Sequence, residues 1–130
     1  MNERELIALA REARQRAFAP YSQFQVGAAL LTKSGRVFTG CNVEISSFGL
    51  TMCAERVALF KAVSEGEREF QAIALAGPEG VSLSPCGACR QVLWDFARDL
   101  EIFSELPGGE ISRASIGELL PRAFGPETLV

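Results

Sequence analysis

Two short stretches organise the chain: Thr51-Met52-Cys53-Ala54-Glu55-Arg56 and Ser84-Pro85-Cys86-Gly87-Ala88-Cys89-Arg90-Gln91. Together they supply three thiols and one carboxylate. Three thiols can hold a zinc ion and leave its fourth position open. A carboxylate beside that open position can move protons to and from water. A strand-helix-strand arrangement around and between the two stretches carries them to one place, and the rest of the chain reads as its scaffold.

Cys86 and Cys89 form a C-x-x-C at a helix start, where the helix dipole and free N–H groups favour thiolates. Alone the motif reads equally as a metal site or as the active dithiol of a thiol-disulfide oxidoreductase. Cys53-Ala54-Glu55 breaks the tie, because it also sits at a helix start after a strand and a loop. Residues i and i+2 do not share a face inside a regular helix, but a cap residue has non-helical dihedrals. Cys53 can therefore ligate while Glu55 points at the open site. An isolated C-x-E would be a buried small thiol and a solvated charge; paired with P-C-x-x-C it is not. Cys41 is left over in a strand and reads as a buried structural thiol. As a fourth ligand it would close the site into a structural zinc module.

The surrounding composition agrees with small-molecule chemistry. The chain has 130 residues, 48% of them hydrophobic, and a net charge of −3. This is the size of one domain, spanning residues 1–130. The charge argues against a nucleic acid polymer as partner. No stretch is long and apolar enough to cross a membrane. The polar start Met1-Asn2-Glu3-Arg4-Glu5 carries no signal peptide, which with the thiols implies a reducing, cytoplasmic setting. Histidine is absent, so Ser-His-Asp and Cys-His catalysis and histidine-ligated metals are excluded within one chain. A transition metal here must rest mainly on thiolates, which points to zinc or an iron-sulfur centre.

Working outward, residues 2–18 read as an amphipathic helix with Asn2 as cap, Glu5 completing a capping box, and Leu6, Leu9, Ala10, Ala13 and Ala17 on one stripe. Phe24 to Thr32 reads as a buried strand. Gly35 turns the chain into a partner strand from Arg36 to Val43. A well-buried helix spans about Met52 to Glu65, with Thr51 as cap and Gly66 as C′ residue. Phe70 to Ala76 is an internal strand. Ser84 caps a third helix with Pro85 at N1, running to about Arg98 with Val92, Leu93, Phe96 and Ala97 inward. Strands at 101–104 and 110–115 and a helical turn at 117–120 follow, and the tail runs from Arg122 to Val130. The α-β-β-α-β-α-β-β-α order implies an α/β fold with βαβ crossovers.

With these motifs in place, the sequence resembles the cytidine deaminase family, in its small form acting on free nucleosides. The resemblance runs through Ala19-Pro20-Tyr21-Ser22, Phe24-Gln25-Val26-Gly27-Ala28-Ala29, Gly40-Cys41-Asn42-Val43-Glu44 and both cysteine stretches. It ends with Glu118-Leu119-Leu120-Pro121 and Phe124-Gly125-Pro126. It implies a three-layer sandwich, a five-stranded mixed sheet with helices on both faces, usually assembled as a homotetramer with active sites shared between subunits. It implies one zinc per subunit on Cys53, Cys86 and Cys89, with Glu55 as proton shuttle in converting cytidine or 2′-deoxycytidine to the uridine form plus ammonia. It implies that Arg56 bonds the ligand sulfurs and that Asn42 and Glu44 hold the ribose hydroxyls. Phe24 would lie near the base, Ala54 and Ser84 would offer backbone groups to the pyrimidine, and Phe124 would reach a neighbouring subunit's site. One stretch departs from the family pattern. Where relatives often read Asn-Ala-x-Tyr after Glu44, this chain has Ile45-Ser46-Ser47-Phe48. The change motivates a second reading, a deaminase of a modified cytosine nucleoside of the blasticidin S kind.

Overall fold

In the computed structural model, which describes residues 1–129, a five-stranded mixed sheet is sandwiched between helices. The elements are α1 (Glu3–Arg14), β1 (Gly27–Thr32), β2 (Val37–Cys41), α2 (Ala54–Ser64), β3 (Phe70–Ala76), α3 (Gly87–Phe96), β4 (Glu101–Glu105), β5 (Ile111–Ser115) and α4 (Ile116–Leu119). This is the order read from the sequence. Val130, the end of the expected tail, lies outside the described residues.

The sheet order is β2-β1-β3-β4-β5. β1 pairs antiparallel with both β2 and β3, β4 runs parallel to β3, and β5 returns antiparallel to β4. β1 is buried along its whole length, and its alternate residues feed two cores. Ala28 and Leu30 pack with Ala58, Leu59, Ile73 and Leu93 under α2 and α3. Ala29 and Leu31 face Leu6, Ile7, Ala10 and Phe103 under α1. Two glycines let helices sit directly on the sheet. A Cβ at Gly27 would lie 1.9 Å from the Ala10 carbonyl oxygen, and one at Gly40 would lie 2.5 Å from that of Ala54.

Several boundaries differ from expectation for identifiable reasons. Asn2 caps α1 by accepting from the Glu5 N–H at 2.9 Å, but the return bond of a capping box is not formed there. Instead Ser115 and Glu118 build one at α4. β1 starts at Gly27 rather than Phe24 because the Asn42 side chain takes over the pairing. Its Nδ2 donates to the Phe24 carbonyl and its Oδ1 accepts from the Val26 N–H, each at 2.8 Å. Phe96, expected inward, and Phe60, in a helix expected to be well buried, are exposed. The small residues Ala54, Ala58 and Ala62 seat α2 on the sheet instead. Gly35 and Gly66 take the positive φ expected of them.

Candidate metal centre and active site

β3, the loop after it and α3 bring Cys86 and Cys89 towards the start of α2, where Cys53 stands. The helix caps are not Thr51 and Ser84 as expected but the cysteines themselves: Cys53 is the N-cap of α2 and Cys86 that of α3. The two hydroxyls are occupied elsewhere. Thr51 Oγ1 accepts from the Ile45 N–H at 3.0 Å, and Ser84 Oγ accepts from Arg90 at 2.8 Å. Two helix N-termini, with their unpaired N–H groups and positive dipole ends, thus converge on the sulfurs.

The Sγ atoms of Cys53, Cys86 and Cys89 all lie within 4.8 Å of one another, and those of Cys53 and Cys86 are 3.8 Å apart. Sulfurs about 2.3 Å from a tetrahedral zinc are separated by about 3.8 Å. The Cys53–Cys86 separation matches this value, and the three-thiol cluster as a whole fits a single zinc ion. Among the described residues Cys41 does not join this cluster, so a closed four-thiolate site is not built. All four cysteines are free thiols.

The charge state follows from the geometry. The neighbouring Cys89 thiol draws Cys53 down to about 5, helped by Arg56 and Cys86. Cys89, buried against Cys53 and near Glu55, is raised. Arg56 Nη2 lies 3.4 Å from the Cys53 sulfur, and its Nε is buried without a hydrogen-bond partner. The guanidinium is thus held close to the cluster, where its charge offsets that of thiolates.

Glu55 is only 6% exposed. Burial holds its carboxyl above the usual carboxylate range, and the Cys53 thiolate reinforces the shift. Such a group holds a proton more readily than a surface glutamate.

Beside the cluster lies a cavity of about 370 Å³ lined by Phe24, Asn42, Glu44, Cys53, Ala54, Glu55, Ser84 and Cys86, all singled out in the sequence. Its other walls are Ser22, Val26, Thr51, Leu75 and Leu83, which sequence reasoning did not assign to the site. Ser22 carries the clearest missed signal, a hydroxyl in the Pro-Tyr-Ser turn. It donates to Glu44 Oε2, while the Tyr21 and Ser22 N–H groups donate to Oε1 at 3.0 and 3.1 Å. These bonds, led by the Ser22 hydroxyl, hold Glu44 below the usual carboxylate range. Phe124 is the exception among the assigned residues. Its ring is not part of the lining, the residue is 56% exposed, and its carbonyl accepts from Gln91 at 2.9 Å.

A mixed sheet with a three-thiol centre and a buried carboxylate at paired helix starts defines the class of zinc-dependent deaminase folds. Residues 1–103 match the family model described as "Cytidine and deoxycytidylate deaminase zinc-binding region". The chain is 45% identical to the cytidine deaminase of Sporosarcina psychrophila over 130 residues, covering 99% of this chain and 96% of that one. It is 48% identical to that of Halalkalibacterium halodurans, covering 99% and 98%. The crystal structure of cytidine deaminase from Burkholderia pseudomallei superposes with a TM-score of 0.91 at 50% identity, covering 95% of this chain and 100% of that one. The chain belongs to the cytidine deaminase family.

Proposed function

We propose that this chain catalyses the zinc-dependent hydrolytic deamination of cytidine and 2′-deoxycytidine, giving uridine or 2′-deoxyuridine and ammonia in pyrimidine salvage. The observation that carries this reading is the juxtaposition of three convergent thiols with one buried carboxylate on the wall of a nucleoside-sized cavity. Cys53, Cys86 and Cys89 are the residues that would hold zinc, leaving one position for a reactant. Bound there, zinc supplies the Lewis acidity that makes water a nucleophile near neutral pH.

Glu55 does the proton work. It takes a proton from the attacking water and gives it to N3 of the pyrimidine as the C4–O bond forms. It then carries the second water proton to the amine, so that the C4–N bond breaks and neutral ammonia leaves. Its burial suits it to both halves of this cycle. Arg56 keeps the thiolates from accumulating uncompensated charge. Asn42 and Glu44 present their remaining hydrogen-bonding capacity to the ribose. Each is already pinned by its own chain, so neither has to be ordered when substrate arrives. Phe24 packs near the base, and Ala54 and Ser84 contribute backbone groups to it.

A homotetramer with shared active sites is the assembly we infer. It is supported by large apolar side chains left outside, among them Phe48 at 71% exposure, Leu50, Phe60 and Phe124. Phe124, which is exposed and does not line its own cavity, is free to reach a neighbour's. The single domain of residues 1–130 acts in a cytoplasmic, reducing setting that keeps the thiols free. No helix among the described residues is long and apolar enough to cross a membrane.

The test is to follow the ultraviolet change as purified protein is mixed with cytidine, before and after zinc is stripped by a chelator. Metal-dependent formation of uridine is expected. A folded, zinc-loaded protein that leaves cytidine unchanged would overturn the reading.

A further inference from the structure

Arg90 stands directly after a metal-site cysteine, yet it bonds none of the sulfurs and not Glu55. It lies on the first turns of α3, and its guanidinium is wholly committed to three acceptors of its own chain. Nε donates to the Pro85 carbonyl at 2.7 Å, Nη2 to Ser84 Oγ at 2.8 Å and Nη1 to the Leu119 carbonyl at 2.8 Å. It forms no ion pair among the described residues. A planar guanidinium fixes its partners in direction as well as distance, which an ammonium cannot do.

The segment it grips is the one that closes the cavity, through Leu83, Ser84 and Cys86. That loop is also tied from beneath, where the buried Ser104 donates its hydroxyl to the Leu83 carbonyl at 3.1 Å. The hydroxyl of Ser84 is consumed by Arg90. The Ser84 carbonyl accepts no hydrogen bond from the described residues. Ser84, a residue of the cavity wall, therefore carries an unused carbonyl acceptor in a segment held by side chains on either side of it.

The geometry points to Arg90 as a positioning residue for the deamination step: it sets the Ser84 carbonyl as acceptor for the departing amine. It touches neither substrate nor metal. The amine gains positive character as it leaves, so a fixed acceptor stabilises the transition state more than the bound substrate. Loss of the grip should therefore appear in kcat rather than in KM. The inference rests on the deaminase reading above. Wild-type turnover of cytidine in the same assay separates the two: if wild type is inactive the reading fails, and if wild type and variant are equally active only the role of Arg90 fails.

The experiment compares Arg90→Gln and Arg90→Lys with wild type, measuring zinc per chain, melting temperature, kcat and KM for cytidine. Arg90→Lys keeps the charge and most of the stem, which guards against a variant that does not fold. The expected result is full zinc content, KM close to wild type and kcat lowered by about 10–100-fold, the range typical of removing a group that orients a metal-site residue. Lysine should recover little of the loss. A residue that merely staples α4 to α3 through Leu119 would lower the melting temperature and leave kcat per bound zinc unaltered, and that outcome overturns the proposal. So does a loss confined to KM, or one that follows loss of zinc.

Discussion

Gly40→Ala tests whether the close seating of α2 on β2 sets the active-site geometry. A Cβ at Gly40 would stand 2.5 Å from the Ala54 carbonyl oxygen, 2.6 Å from the Ala58 nitrogen and 3.1 Å from the Val57 Cβ. Ordinary contact begins near 3.4 Å, so helix and strand must part by about 0.9 Å. The two nearest obstructing atoms are backbone atoms of α2, which cannot rotate aside. β2 leads into Asn42 and Glu44, and the first turn of α2 carries Cys53 and Glu55, so separation widens the cavity between its two walls whichever element moves. Overpacking of this kind costs about 1–3 kcal/mol, or roughly 3–12 °C of melting temperature for a domain of this size. A displacement near 1 Å at a reacting centre costs about 100-fold in rate. The assay is kcat/KM for cytidine well below the melting temperature, with zinc content measured in parallel. A hundredfold loss in a folded variant is expected. Wild-type kcat/KM, even with lowered stability, would show that this contact does not position the site.

Three further outcomes follow from the same geometry. Glu55→Gln keeps the three thiols and so should bind zinc at wild-type stoichiometry, yet lose about 10²–10⁴-fold in kcat; wild-type kcat would remove Glu55 from the chemistry. Asn42→Ala deletes both side-chain bonds that hold Phe24 and Val26 in place. It should raise KM for cytidine and increase amide exchange across residues 24–26, and unchanged exchange there would contradict the structural half of that role. Leu30→Ala, in the middle of the fully buried β1, should cost about 2–5 kcal/mol in denaturant unfolding. A smaller loss would mean that the helices relax onto the sheet.

The sequence carried the site more clearly than it carried the element boundaries. A C-x-E paired with a P-C-x-x-C near two helix starts is a chemical signal that tolerates an error of a residue or two in where each helix begins, so Cys53, Cys86, Cys89 and Glu55 could be singled out without the fold. The β1 run was legible because a strand buried on both faces has nowhere to place polar residues. The caps were misread because Thr51 and Ser84 are good capping residues by type, and only tertiary bonds to Ile45 and Arg90 divert their hydroxyls. The start of β1 was misread because a side-chain amide can replace a strand ladder, and Asn42 gives no local sign of doing so. Phe60 and Phe96 satisfy the helical period equally well facing a core or facing outward. Leu75 and Leu83 line the cavity as ordinary apolar residues with no motif to distinguish them.

X-ray absorption at the zinc edge of the loaded protein decides whether the three thiols form an open zinc centre. Three sulfur ligands at about 2.3 Å and one oxygen or nitrogen ligand at about 2.0 Å are expected. Four sulfurs would place Cys41 on the metal and make the site structural, and fewer than three would contradict the ligand set outright.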